Sequence, residues 1–326
     1  MKKEYLGIDL GSENTSIYSS ISDSVIYSES TCLVANKNTG EVSKIGFLAS
    51  KVSGKAPYNY EVVYPIKNGA IFDDDACYLY LQEVLRNLNI LNRMKTPCVV
   101  FSTYSNCSKV NRKSLIEIGK LLGAKEIYIE SQARLSALGS SNNVFAPTST
   151  FVCHIGAGVS DIACLSMGEI VACESTSIAS HSFDEAIRRY MMQNQHLSIG
   201  LNSAEYLKMK IASLEKVPEN KLSEIKGRDT ITSLPSSAVV STSELKTALE
   251  ALADIIVLKI TDVISSMPAE LVSDLTKTGI YLSGGGSLLK GLKEYFERKL
   301  FIPVNINEKP LDAINEGFKV YSRFIK

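Results

Sequence analysis

The chain has no tryptophan, only three histidines and nine prolines in 326 residues. It has no excess charge of either sign, since 35 Lys+Arg balance 35 Asp+Glu. That balance removes the electrostatic ground for a nucleic-acid footprint, and leaves little repulsion between copies of the chain. The seven cysteines include no CxxC pair, and several stand in apolar strands. They read as buried, reduced thiols of a cytoplasmic protein, with zinc or a disulfide as the alternative. A membrane-spanning run is missing too. The most apolar long stretch, 248–266, is broken by Glu250, Asp254, Lys259 and Asp262, the spacing of an amphipathic helix. Met1-Lys2-Lys3-Glu4 leads straight into an apolar strand, so no secretory leader is expected. Neither a Walker phosphate loop nor a dinucleotide-binding glycine fingerprint follows the first strand.

What is present is a duplicated glycine turn. The first reads Gly7-Ile8-Asp9-Leu10-Gly11-Ser12-Glu13-Asn14-Thr15, and the second Cys153-His154-Ile155-Gly156-Ala157-Gly158-Val159-Ser160-Asp161. Each is an apolar strand running into small residues, where backbone amides can approach a phosphate. Asp9 ends the first strand and is placed to hold a cation; His154 stands where the second would carry an acid. A third glycine cluster, Gly284-Gly285-Gly286, follows an apolar strand, and reads as close backbone approach by a ligand. Either turn alone is weak testimony, because glycine turns between strands are common; the ordered set is stronger.

The hydrophobic pattern predicts strands over 5–9, 15–22, 98–102 and 126–129, with helices over 74–88, 111–122 and 132–138. A new strand series opens at 150–154, 161–166 and 169–174. Helices are expected over 183–193, 203–212, 243–266 and 288–299, with a strand over 279–282. Alternating strands and helices argue for α/β sheets layered by helices. One theme, starting near residue 5 and again near 150, implies two related lobes facing each other across a cleft.

The ordered motifs resemble those of the MreB family, the bacterial actin homologues of the actin/Hsp70/sugar-kinase superfamily. The resemblance covers nearly the whole chain. It rests on the first glycine turn, Pro65-Ile66-Lys67-Asn68-Gly69, Ala204-Glu205 with Lys208, and Gly227-Arg228-Asp229 with Leu234-Pro235. Pro268-Ala269-Glu270-Leu271, Ser283-Gly284-Gly285-Gly286, Ile302-Pro303-Val304 and Pro310-Leu311 complete it. It implies an actin-like two-lobed α/β fold, each lobe a mixed sheet flanked by helices. The implied subdomains are 1–30 with 65–145 and 311–326, 31–64, 146–177 with 254–310, and 178–253.

The resemblance also implies a bound ATP or ADP with Mg²⁺. Asp9 would hold the metal through water. Gly11, Ser12, Glu13 and Asn14, with Gly156, Ala157 and Gly158, would cradle phosphates. Gly284, Gly285 and Gly286 would pass beneath the nucleotide, and Glu205 and Lys208 would reach ribose and base. Without the family, Glu205 and Lys208 read as a solvated helix face.

Departures from the family pattern gather where hydrolysis occurs. Gln132 falls on the glutamate that positions the attacking water, and a glutamine can still orient water. His154 replaces the family's aspartate, and a neutral imidazole offers a cation no negative charge. Asp161 keeps a carboxylate nearby and is the other catalytic candidate. For His154 two readings stand: a satisfied buried histidine, or a direct phosphate contact. Ser180-His181 replaces a Gly-Asp pair of the family.

The function expected is therefore an ATP-binding cytoskeletal filament protein acting in cell shape or shape-linked motility, with weak hydrolysis. The expected partners are copies of itself in paired protofilaments and MreB paralogues. The alternatives are a near-inactive partner of a paralogue and, more remotely, a kinase or chaperone of the superfamily. No nucleic acid is expected. Leu91 and Met94, in Ile90-Leu91-Asn92-Arg93-Met94-Lys95, are the candidate contacts to a membrane face; the alternative is an ordinary helix–strand connection.

Overall fold

The computed structural model describes residues 5–90, 98–140, 143–215 and 220–321. Leu91 and Met94 lie outside the described residues. The chain divides into two compact units, one of residues 1–144 with 312–326 and one of residues 145–311.

The first unit is built on a five-stranded sheet. Strands Tyr5–Leu10, Asn14–Ser19 and Ser24–Ser30 form an antiparallel meander. Tyr5–Leu10 also pairs in parallel with Cys98–Thr103, which pairs in parallel with Ile127–Ser131. Cys98–Thr103 is buried at every position, as its unbroken apolar run requires of a strand covered on both faces. Its cover includes helix Asp74–Asn87, whose Cys77, Tyr80, Leu81 and Val84 enter the core with Ile8, Val99 and Phe101. That helix starts where Asp73 accepts the Ala76 amide, a side-chain cap on an otherwise unpaired donor.

The second unit repeats the plan. Strands Thr150–Ile155, Ser160–Ser166 and Glu169–Thr176 form the meander. Thr150–Ile155 pairs in parallel with Ile280–Ser283, which pairs in parallel with Val304–Ile306. The long helix Thr242–Ser265 lays Leu245, Leu249, Ala253, Ile256, Ile260 and Val263 into this core, the three-to-four spacing expected of its apolar face. Ser241 and Glu244 close a capping box at its start. No helix among the described residues is long and apolar enough to cross a membrane.

One expectation is corrected and one element was missed. The helix expected over 288–299 begins later, at Leu292; Gly285–Leu288 forms a short 3₁₀ turn, and Gly291 takes φ +76° at the junction. The hairpin Leu222–Asp229 with Pro235–Ser241 was not foreseen, because its two strands bury few residues and their sequences carry no clean apolar–polar alternation.

Candidate functional site

In each unit the glycine turn joins the first two strands of the meander, and the two turns share the hydrogen bond that closes them. Gly11 donates its amide to Asn14 O at 3.1 Å, and Gly156 donates to Val159 O at 2.9 Å. A Cβ on Gly11 would come within 2.6 Å of Asn14 O, so the tight turn itself accounts for that glycine; on Gly156 it would come within 3.1 Å of Val159 O, a tight fit.

The residue before the last of each first strand is also matched. Asp9 in the first unit takes a hydrogen bond from the hydroxyl of Ser102, the residue before the last of the central parallel strand. In the second unit His154 Nδ1 lies 3.1 Å from Ser283 Oγ, at the end of Ile280–Ser283. Sequence reasoning missed both serines. The signal was there: two apolar strands, Cys98-Val99-Val100-Phe101 and Ile280-Tyr281-Leu282, each run into serine at the same place in the duplicated plan.

Asp9 and Gln132 are brought together. Gln132 opens helix Gln132–Leu138 behind the Ser131 cap and donates from Nε2 to Asp9 Oδ1 at 3.1 Å. Burial pushes the Asp9 carboxyl up, and the bonds from Ser102 and Gln132 pull it back. Both donors fall on Oδ1. The second oxygen has no partner among the described residues, which suits a hydrated hard cation that keeps most of its own waters.

Ser12 accepts the Gly69 amide at 2.9 Å, so the turn 65–69 lies against the first glycine turn. Glu13 and Asn14 are exposed, and Glu13 O receives the Thr31 amide at 2.8 Å.

His154 is 7% exposed, and burial holds its imidazole down to about 4. The ring is therefore neutral at physiological pH, and one of its nitrogens is already engaged with Ser283. An unfolded imidazole takes up its proton near 6.5, whereas the folded one resists until about 4. Stability from this group is complete above pH 6.5 and drains away as the pH falls toward 4. Between pH 6.5 and about 5 the wild type should lose about 2 kcal/mol more stability than His154→Gln, measured by urea unfolding at each pH. Parallel losses in the two proteins would show that the ring is not held neutral.

Asp161 lies opposite His154 on the neighbouring strand but is wholly buried, and Ser175 Oγ donates to its Oδ1 at 2.9 Å.

The carbonyls of the second turn point into the unit. Ser180 N–H donates to Gly156 O at 3.1 Å, and His181 N–H to Ala157 O at 2.8 Å. In a planar trans peptide the N–H points opposite to the C=O. Fixing these two carbonyls therefore turns the amides of Ala157 and Gly158 the other way, side by side. Neither amide has a partner among the described residues. Successive backbone N–H groups presented in this way form an anion-binding concavity.

The glycine triplet is only partly a matter of ligand approach. Gly284 takes φ +78°, and a Cβ there would lie 2.3 Å from Ile155 O. On Gly286 it would lie 2.2 Å from Ile155 Cγ2. Packing against the second turn thus explains two of the three glycines, correcting the reading that only a ligand would. Gly285 is exposed, and a Cβ there would meet only Leu311 Cδ2, in ordinary contact at 3.4 Å.

Glu205 is exposed on helix Leu201–Ile211. Lys208, expected to reach ribose and base, is largely buried inside the unit. Its ammonium lies 2.8 Å from Asp184 Oδ2, 2.7 Å from Ser180 Oγ and 3.3 Å from Ser180 O. Burial pushes the Asp184 carboxyl up and Lys208 draws it down.

Comparison with known proteins accords with this duplicated plan. The family model "MreB/Mbl protein" matches residues 3–326. The chain is 31% identical to the cell shape-determining protein Mbl of Bacillus subtilis, over 96% of this chain and 93% of that one. It is 29% identical to the cell shape-determining protein MreB of Escherichia coli K12, over 96% of this chain and 91% of that one. Its structure superposes on MreB5 of Spiroplasma citri bound to ADP with TM-score 0.92 and 29% identity, covering 99% of this chain and 97% of that one. The MamK double helical filament, at 20% identity and TM-score 0.82, shares the fold. With an actin-like α/β fold and a family match over nearly its full length, the chain belongs to the MreB/Mbl family.

Proposed function

We propose that the chain is an actin-like cytoskeletal subunit that binds ATP and polymerises into filaments governing cell shape or shape-linked motility, and that it hydrolyses ATP weakly. One observation carries the nucleotide part of this reading: the outward, unpartnered amides of Ala157 and Gly158, at the turn that matches Gly11 to Asn14 in the other unit. Gly11, Ser12, Glu13, Asn14, Gly156, Ala157 and Gly158 take the phosphates. Glu205 takes the ribose side, and the exposed backbone at Gly285 passes the base. Asp9 holds Mg²⁺ through water by its second oxygen; the metal supplies charge that offsets the phosphates. Support for this reading comes from the relatives, since MreB5 of Spiroplasma citri was crystallised with ADP and with AMPPNP.

Gln132 keeps Asp9 oriented and can present its amide to a water. Asp161 is a poor candidate for contact with solvent, because it is wholly buried and already hydrogen-bonded. With His154 neutral, the second unit offers no exposed carboxylate at its turn, and this supports slow turnover. The same observation favours a second reading: a near-inactive filament partner of a paralogue.

Self-association follows from the family, and a head-to-tail interface that does not close gives open filaments. Pelleting and negative-stain imaging with ATP and Mg²⁺ should show filaments above a critical concentration. Monomers alone, across concentrations, nucleotides and added lipid, would refute the filament reading. Filaments seen only when a paralogue is added would favour the second.

A further inference from the structure

We propose that Lys208 is a positioning residue for the phosphate-binding turn of the second unit, acting through Ser180, rather than a contact to the nucleoside. The proposal rests on the nucleotide reading above. An ammonium group has three protons to give. Those of Lys208 meet three acceptors: Ser180 O, Ser180 Oγ and Asp184 Oδ2, at 3.3, 2.7 and 2.8 Å. The lysine side chain is 11% exposed and that of Asp184 is 5% exposed, so the pair lies inside the unit. No proton remains for a ribose hydroxyl or a ring nitrogen.

These bonds tie helix Leu201–Ile211 to the first residue of helix Ser180–Asn194. That residue does the next step of the work. Ser180 N–H holds Gly156 O, and the following amide, of His181, holds Ala157 O. The two carbonyls fix the peptide planes, and the planes fix the direction of the Ala157 and Gly158 amides. A first helical turn has no intrahelical partners for its amides and frays readily unless something anchors it. Here the anchor is a buried cation on the carbonyl and hydroxyl of Ser180. The chain of contacts therefore runs from Lys208 to Ser180, from Ser180 and His181 to the turn carbonyls, and from those to the amides that meet phosphate.

Asp184 completes the set. Its Oδ1 is buried with no hydrogen-bond partner among the described residues, and Glu205 adds a second nearby negative charge. The lysine is the cation that makes this arrangement tolerable. Its removal alone would leave a buried carboxylate unpaired, a substantial penalty in its own right. The informative variants are therefore Ser180→Gly, which deletes one acceptor and loosens the first turn, and the double variant Lys208→Met with Asp184→Asn, which removes cation and anion together.

The measurement is competition by adenosine, AMP, ADP and AMPPNP against a fluorescent adenine nucleotide, with Mg²⁺ present, on the full chain. In both variants AMPPNP and ADP should weaken about tenfold, the scale of losing a hydrogen bond to a charged group, while adenosine stays within about twofold of wild type. Equal losses for adenosine and AMPPNP would overturn the assignment. They would mean that the lysine touches the nucleoside or that the whole unit has softened. Unchanged AMPPNP binding in both variants would overturn it as well. A wild type that binds none of the four ligands would instead sink the nucleotide reading, and this assignment with it.

Discussion

Replacing Gly317 by alanine is expected to destabilise the first unit by about 3 kcal/mol or more, although alanine is the better helix former. Gly317 lies within helix Ala313–Tyr321, which runs against helix Gln132–Leu138. A Cβ at 317 would stand 2.0 Å from Leu135 O and 2.6 Å from Leu135 C. The reverse contact is as close: a Cβ on Gly139 would stand 2.0 Å from Ala313 O. Both obstacles are backbone, so no rotamer change relieves them; the two helices must separate. Helix propensity returns about 1 kcal/mol to the variant, and the overpacking outweighs it. Gly119→Ala is the control, because there the nearest obstacle is Ile127 Cδ1, the tip of a flexible side chain, at 2.8 Å. Urea unfolding should show a large midpoint drop for Gly317→Ala and a small change for Gly119→Ala. Similar midpoints would mean that the helix crossing yields easily. A functional consequence follows, since the helix that Gly317 contacts begins with Gln132. Loosening the crossing should also loosen the bond from Gln132 to Asp9.

The duplicated plan was legible because it depends on local signals. Apolar runs of strand length, glycine turns and helical spacing are written in consecutive residues, and helix Gln132–Leu138 falls where its pattern put it. Asp9, Gly11 and the second turn stand out as candidates for the same reason. What was not legible depends on register. Ser102 and Ser283 matter because parallel pairing sets them beside Asp9 and His154, and pairing register is decided by the assembled sheet. The contacts of Lys208 were not legible for a related reason. Its sequence neighbourhood speaks of a solvated helix face, and only the tertiary approach of Ser180 and Asp184 shows where its protons go. The hairpin Leu222–Asp229 with Pro235–Ser241 escaped because burial alternates along its first strand but polarity does not follow it: Ser223, Ile225 and Gly227 turn inward while Leu222 is exposed.

His154→Asp should raise the rate of phosphate release from ATP about tenfold or more over a slow wild type. The two units set the terms of this experiment, because His154 occupies the place in its strand that Asp9 occupies in the other. The socket is ready for a carboxylate. Ser283 lies where Ser102 lies in the first unit, and its hydroxyl can donate to an aspartate as Ser102 does to Asp9. Space is also favourable: the shorter side chain vacates the volume of an imidazole whose Cε1 lies 3.1 Å from where a Gly284 Cβ would be. Against this stands the cost of burying a new charge, which the single serine donor offsets only in part. That cost falls on folding stability, and should appear as a lower urea midpoint. The gain falls on turnover, because a carboxylate would give the hydrated metal of the proposed site an anionic neighbour that a neutral ring cannot. The two effects separate in one experiment: phosphate release measured for both proteins with Mg²⁺ and again with EDTA. A faster variant whose advantage disappears in EDTA supports the reading. Brisk and equal rates in Mg²⁺ would show that His154 does not limit hydrolysis, and the case for a weakened ATPase would fall.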